Sequence, residues 1–146
     1  MMLAPSAARL RGAFLLAVSG VLFLPACAGE KRKPVFPVQG KVLFEGKPAA
    51  GAVVFFHPVG VAGADALRPH ATVEADGTYR LTTYNGPDGA PAGEYDVTVV
   101  WTRPSRRGDE EGDSLLPVRY RAPTTSRLRA EVKEQPNELP PFKLTR

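Results

Sequence analysis

The sequence predicts an all-β fold, a seven-stranded antiparallel sandwich, on three observations. Glycine (14 residues) and proline (15 residues) recur so often that, after residue 27, the longest stretch free of both is the 12 residues from 124 to 135. Long helices are therefore excluded. Between these breaks the chain is rich in Val, Thr, Tyr and Phe, the residues that fill a pleated, half-buried surface. Residues 94–102, EYDVTVVWT, alternate with the period of a strand that buries one face. Tyr95, Val97, Val99 and Trp101 fall on one side and Glu94, Asp96, Thr98 and Thr102 on the other, with Val100 the exception.

In chain order, a first strand over 36–45 sets Val38, Val42 and Phe44 against Gln39, Lys41 and Glu45, and Gly46-Lys47-Pro48 turns it. Residues 51–57, GAVVFFH, are apolar on both faces, as in a central or loop-covered strand. Residues 58–69 form a loop rich in Gly and Ala. An Asp76-Gly77 hairpin follows, and side-chain faces settle its register. A two-residue turn would pair Glu74 with Tyr79 and bury a carboxylate, which costs more than any turn preference supplies. A three-residue turn over 75–77, with Gly77 at positive φ, pairs Val73 with Tyr79 and Ala71 with Leu81 and turns Arg80 to water. After the 94–102 strand, RPSRRGDEEGDSL (103–115) is a charged surface loop, and 116–126 is a compact crossover that tucks Leu116 and Tyr120 against the sandwich edge. The segment 127–133 is a strand with Leu128, Ala130 and Val132 inward; a short helix capped by Ser126 is the alternative. A last strand, 142–144, points Phe142 and Leu144 inward and Lys143 to water.

The first 27 residues differ from the rest. Arg9 and Arg11 precede an apolar run, GAFLLAVSGVLFLPA, that ends at Leu24-Pro25-Ala26-Cys27. This is the layout of a secretory signal peptide. The run is shorter than the ~20 residues of a membrane-spanning helix, and Pro25 breaks its last turn. Leu24-Pro25-Ala26-Cys27 resembles the bacterial lipobox, which implies lipidation of Cys27, the one cysteine in the chain. Two or more acyl chains give stable anchoring where a single chain gives only reversible binding. The expected division is a signal peptide over 1–26, a lipidated cysteine and tether over 27–35, and a folded domain over 36–146. Ala28 after the cysteine, by resemblance to lipoprotein sorting in two-membrane bacteria, implies export to the outer membrane.

Loss of Arg9 and Arg11 with the leader takes the 19 basic residues to 17 against 15 acidic ones. So small an excess gives no basis for nucleic-acid binding. Glu30-Lys31-Arg32-Lys33 before Pro34 and Pro37 forms a solvated tether that lifts the domain off the lipid.

Gly40-Lys41-Val42-Leu43-Phe44-Glu45-Gly46-Lys47-Pro48, Gly51-Ala52-Val53-Val54-Phe55, Asp76-Gly77-Thr78-Tyr79-Arg80-Leu81 and Pro91-Ala92-Gly93-Glu94-Tyr95-Asp96-Val97-Thr98-Val99 together resemble carboxypeptidase regulatory-like domains of the transthyretin-like sandwich type. Leu116-Pro117, Tyr120, Pro123, Thr125-Ser126 and Leu128 resemble the form found in small exported lipoproteins of planctomycete-type bacteria. The resemblance covers about residues 38–144 and implies a non-enzymatic accessory or binding module of the cell envelope, without a cofactor.

No constellation in the sequence names a reaction. His57 and His70 lack the third ligand of a zinc site, and Ser105, Ser114 and Ser126 lack a nucleophile elbow. The chain ends Pro141-Phe142-Lys143-Leu144-Thr145-Arg146, without the Tyr-Arg-Gly-Ser of the hydroxyisourate hydrolases that share the transthyretin-like fold. Asp109, Glu110, Glu111 and Asp113 do not keep calcium-loop spacing and lie beside Arg106 and Arg107. Lys41 and Asn137 invite comparison with isopeptide-forming domains, but alternation turns Lys41 outward. Of the aromatic residues, Tyr79, Tyr95 and Trp101 face the core, while Tyr84 in the Tyr84-Asn85-Gly86-Pro87-Asp88 loop is expected to be exposed. Two functions are therefore open: a structural or protein-interaction module, or a binding module for envelope glycans or peptides using Tyr84, Asn85 and Asp88.

Overall fold

The computed structural model describes residues 31–105 and 112–146, and all of its strands lie in one compact unit, Arg32–Arg146. The fold is mostly β. It contains β1 (Val38–Phe44), β2 (Lys47–Pro48), β3 (Val53–Pro58), β4 (His70–Thr72), β5 (Thr78–Arg80), β6 (Gly93–Val100), β7 (Leu128–Val132), β8 (Asn137–Glu138) and β9 (Phe142–Leu144), with a one-turn helix α1 (Pro123–Ser126). Two sheets face each other. One has four strands in the order β4-β3-β6-β7, and the other gathers β2, β5, β8 and β9 around β1.

Two sequence expectations are corrected. Among the described residues there are nine strand segments rather than seven, because β2 and β8, each two residues long, join the five-stranded sheet. The pairing is not wholly antiparallel either: β8 and β9 run parallel to β1, with Val38 opposite Asn137 and Val42 opposite Phe142. Backbone direction explains how one strand serves four partners. Val38 and Val42 turn their carbonyls to Leu81 and Ala49, whereas Gln39 accepts from Leu139 and the Glu45 N–H donates to Leu144. Residues of alternate parity thus hold β5 and β2 on one flank of β1 and β8 and β9 on the other. Pro140 and Pro141, which lack N–H groups, separate β8 from β9.

The first turn also differs from expectation. Glu45 (φ 49°) and Gly46 (φ 78°) form a two-residue turn that leaves Phe44 opposite Lys47, so Lys47-Pro48 is strand rather than turn. The Asp76-Gly77 hairpin has the three-residue turn expected of it. Glu74 N–H donates to the Thr78 carbonyl at 2.8 Å, Gly77 has φ 87°, and His70 bridges Thr82 in the same register. Its two arms then diverge, β4 joining β3 and β5 joining β1, so the hairpin links the sheets. The expectation for 51–57 also holds, since β3 lies between β4 and β6.

Between the sheets lies an aromatic cluster. Phe56 of β3 meets Tyr95 at 5.6 Å, Phe142 at 6.3 Å and Tyr79 at 6.4 Å between ring centroids, and Tyr79 stacks on Phe142 at 6.3 Å. Val42, Val54, Leu81, Val97, Val99 and Leu144 belong to the same buried core. The Tyr95 hydroxyl donates to the Pro91 carbonyl four residues upstream at 2.7 Å, a device that anchors the entry of many sandwich strands. Trp101, expected inside, is half-buried; it packs edge-on against Phe44 and donates to the Ala50 carbonyl.

The crossover carries Leu116 and Tyr120 into the core, as expected, and ends in α1, after which Arg127 takes a left-handed conformation (φ 55°). Ser126 is thus the last residue of a one-turn helix rather than its cap, and β7 follows as a strand with Val132 buried. Arg119 lies over the Tyr120 ring at 4.7 Å and donates to the Thr145 carbonyl at 2.6 Å, while the Tyr120 hydroxyl accepts the Thr145 N–H at 3.0 Å. This clamp ties the crossover to the end of β9. The surface loop is closed at its base by Arg103 N–H to Asp113 and Leu115 N–H to Trp101.

Two substitutions test the packing. The Tyr79 hydroxyl is buried with no hydrogen-bond partner and its ring crosses Gly40, where an added Cβ would lie 2.6 Å from that hydroxyl. Burial pushes the phenol far above its ordinary range. Urea unfolding should show Tyr79→Phe stabilising by about 1 kcal/mol, since it removes an unpaired buried polar group. Gly40→Ala should destabilise by about 1–3 kcal/mol through overpacking.

Candidate functional site

The loop from 82 to 90 is built around one carboxylate. Asp88 accepts the N–H groups of Thr83 at 2.7 Å, Tyr84 at 2.9 Å and Asn85 at 3.1 Å, and the Thr83 hydroxyl donates to the Gly89 carbonyl at 2.7 Å. Burial raises the Asp88 pKa, but these backbone donors outweigh it and hold the carboxyl below its ordinary range. Gly86 (φ 58°) and Gly89 (φ 101°) supply the left-handed turns, and an added Cβ at Gly89 would collide with the Phe36 carbonyl. The Phe36–Ala90 bridge attaches the loop to the start of the domain.

Tyr84 is half-buried rather than exposed. The Arg32 guanidinium lies 5.2 Å from its ring centroid, and its hydroxyl donates to the Lys33 carbonyl at 3.3 Å. The side chain expected to offer a stacking face therefore receives the incoming chain. Asn85 is exposed. Sequence reasoning missed Arg32 as a contact residue; the signal available was a cation two residues before Pro34 with an aromatic elsewhere in a loop, which carries no distance information.

The other candidates fall into separate places. His57 Nε2 lies 2.9 Å from the Thr98 hydroxyl. Burial and then the Arg68 charge lower its pKa against an opposing pull from Asp96, so the ring is neutral near pH 7. His70 is exposed and stacks on Phe55 at 6.1 Å. Among the described residues no three His, Cys, Asp or Glu side chains converge. The Ser114 hydroxyl donates to the Leu116 carbonyl, and Ser126 is buried. Lys41 points to solvent as alternation requires, while the Asn137 amide is bound to the backbone of Lys133 and Gln135. Cys27 and the whole signal segment lie outside the described residues, as do Arg106, Arg107, Asp109, Glu110 and Glu111. No described helix is long and apolar enough to cross a membrane.

No family profile, curated protein or solved structure matches this chain.

The geometry of the Asp88 loop sets a stability test with a definite sign. Because the folded-state pKa of Asp88 is depressed, its contribution is present above the ordinary carboxylate value and is lost as pH falls through the folded-state value. At pH 7 Asp88→Ala should cost about 2–4 kcal/mol, as three backbone donors lose a charged acceptor. The difference from wild type should shrink as pH falls through and below the ordinary carboxylate range, measured by thermal unfolding as a function of pH.

Proposed function

We propose that this chain is a non-enzymatic cell-envelope lipoprotein, anchored through lipid on Cys27, whose transthyretin-like domain serves as a structural or protein-interaction module. The observation that carries the reading is the placement of the one cysteine, directly after Leu24-Pro25-Ala26 at the end of an apolar run too short to span a bilayer. A lone exported thiol makes no internal disulfide, and lipidation gives it a use. The sheets hold together without a covalent link, through the aromatic cluster.

Support for a structural role comes from the loop over 82–90. Arg32 and Lys33 lie five and six residues beyond Cys27 and rest on Tyr84, so the tether enters the domain at a fixed point. Both Asp88 oxygens are taken up by the backbone, which leaves Asn85 as the exposed member of the proposed glycan-binding set.

Labelling of expressing cells with radioactive palmitate tests the anchor. Label should enter the wild type and not Cys27→Ala, and the variant should leave the membrane fraction. Equal labelling of the two proteins would defeat the reading.

A further inference from the structure

We infer that the free edge of β7 is a docking site for an extended, acidic segment of a partner protein, which adds a strand to the four-stranded sheet. The inference rests on the protein-interaction reading above and gives that partner a chemistry. It begins with hydrogen-bond parity. The Val59 N–H donates to the Glu94 carbonyl, so Glu94, Asp96 and Thr98 direct their backbone toward β3, and Gly93, Tyr95 and Val97 direct theirs toward β7. In β7 their partners Leu128, Ala130 and Val132 are thereby satisfied. Arg129 and Glu131 point their N–H and C=O groups away from the sheet, where, among the described residues, no other strand pairs with them.

The same edge is closed one step further on. The Asn137 amide accepts the Lys133 N–H at 2.9 Å and donates to the Lys133 carbonyl at 3.0 Å, taking the place of a neighbouring strand for that residue alone. Edges left open invite pairing, and proteins commonly blunt them. Here the blunting stops at Lys133. Beside the open stretch runs a groove of about 570 Å³, whose far wall includes Pro136, Pro140 and Pro141. Prolines carry no N–H, so these three residues have none to donate to the β7 carbonyls.

Groove chemistry selects the occupant. Half-buried Leu128 and Ala130 alternate with the exposed Arg129 and Glu131, a surface that accepts side chains of alternating character. Arg129 is paired with Asp96 at 3.2 Å, and the remaining cations of the lining, Arg127, Lys133 and Lys143, still outnumber Glu131 and Glu138, which favours a negatively charged segment.

The probe is a fluorescein-labelled peptide of alternating Glu and Val, titrated against the full chain in detergent micelles and read by polarisation. Saturable binding is expected, with a loss of about tenfold or more when alternate peptide nitrogens are methylated or when Glu is replaced by Lys. Glu131→Pro removes an outward N–H without touching the β6 ladder, so its melting temperature should change little while peptide affinity falls at least about tenfold. Should proline prevent folding, Arg127→Glu with Lys143→Glu reverses the groove charge and must weaken binding in a salt-dependent way. Equal binding by the methylated peptide or by Glu131→Pro, or none up to about 1 mM, overturns the inference. So does a wild-type dimer in sedimentation that Glu131→Pro converts to monomer, which would make a second copy the occupant. Crosslinking in envelope membranes separates this result from the broader reading. A partner still captured by Glu131→Pro sinks the edge site and leaves the module an interaction domain, whereas capture of none sinks the interaction reading.

Discussion

The Phe56 ring sits where the two sheets must be held together. It belongs to β3 and touches Tyr95 of its own sheet, but it also meets Tyr79 of β5 and Phe142 of β9 across the interface. Each such pair adds about 0.5–1.5 kcal/mol to the area it buries, and a chain with one cysteine has no disulfide within itself to join the sheets. Room for the cluster depends on Gly40, which lets the Tyr79 ring lie flat across β1. The cost is a hydroxyl sealed from water without a partner. A chain so often interrupted by Gly and Pro has no long element to bury instead, so the fold concentrates its stabilisation in this small set of rings.

Polar side chains mainly serve backbone that the sheets leave unpaired. Asp88 holds three N–H groups of its loop, the Tyr120 hydroxyl and Arg119 hold the Thr145 backbone, Tyr95 holds the Pro91 carbonyl, and Asn137 closes Lys133. Buried or half-buried peptide groups need such partners wherever no ladder supplies them. The consequence for function is that Asp88, Tyr120, Arg119 and Asn137, residue types often read as ligand-binding, are occupied by structure. Among the described residues, backbone on the outer side of β7 has no such partner.

Much of the fold was legible in alternation. Tyr95, Val97 and Val99 are buried as their spacing requires, the faces of 128–132 and 142–144 are right, and the three-residue turn at Gly77 follows from keeping Glu74 off the apolar face. Failures came where a segment was too short to have a period or where a partner lay far away in sequence. Lys47-Pro48 and Asn137-Glu138 are two residues each, and their strand character comes wholly from β1. Parallel pairing of β8 and β9 likewise depends on β1, about 100 residues away in sequence, rather than on local pattern. For the same reason Tyr84 read as an exposed ring: nothing in a loop composition brings Arg32 to it. That β7 is an edge could not be read from its residues, because inward and outward faces look alike in edge and central strands.

Native-state hydrogen exchange across a denaturant series measures the joining of the sheets most directly. The amides of Val42, bonded to Gly77, and of Phe56, bonded to Pro69, lie in different sheets, and Val97 lies in the ladder between β6 and β7. If the Phe56 cluster makes one cooperative unit, their opening free energies converge on a single global value as denaturant rises. Separate values, with Val42 opening well before Phe56 and Val97, would show that the five-stranded sheet unfolds on its own and would contradict the central role given to these rings.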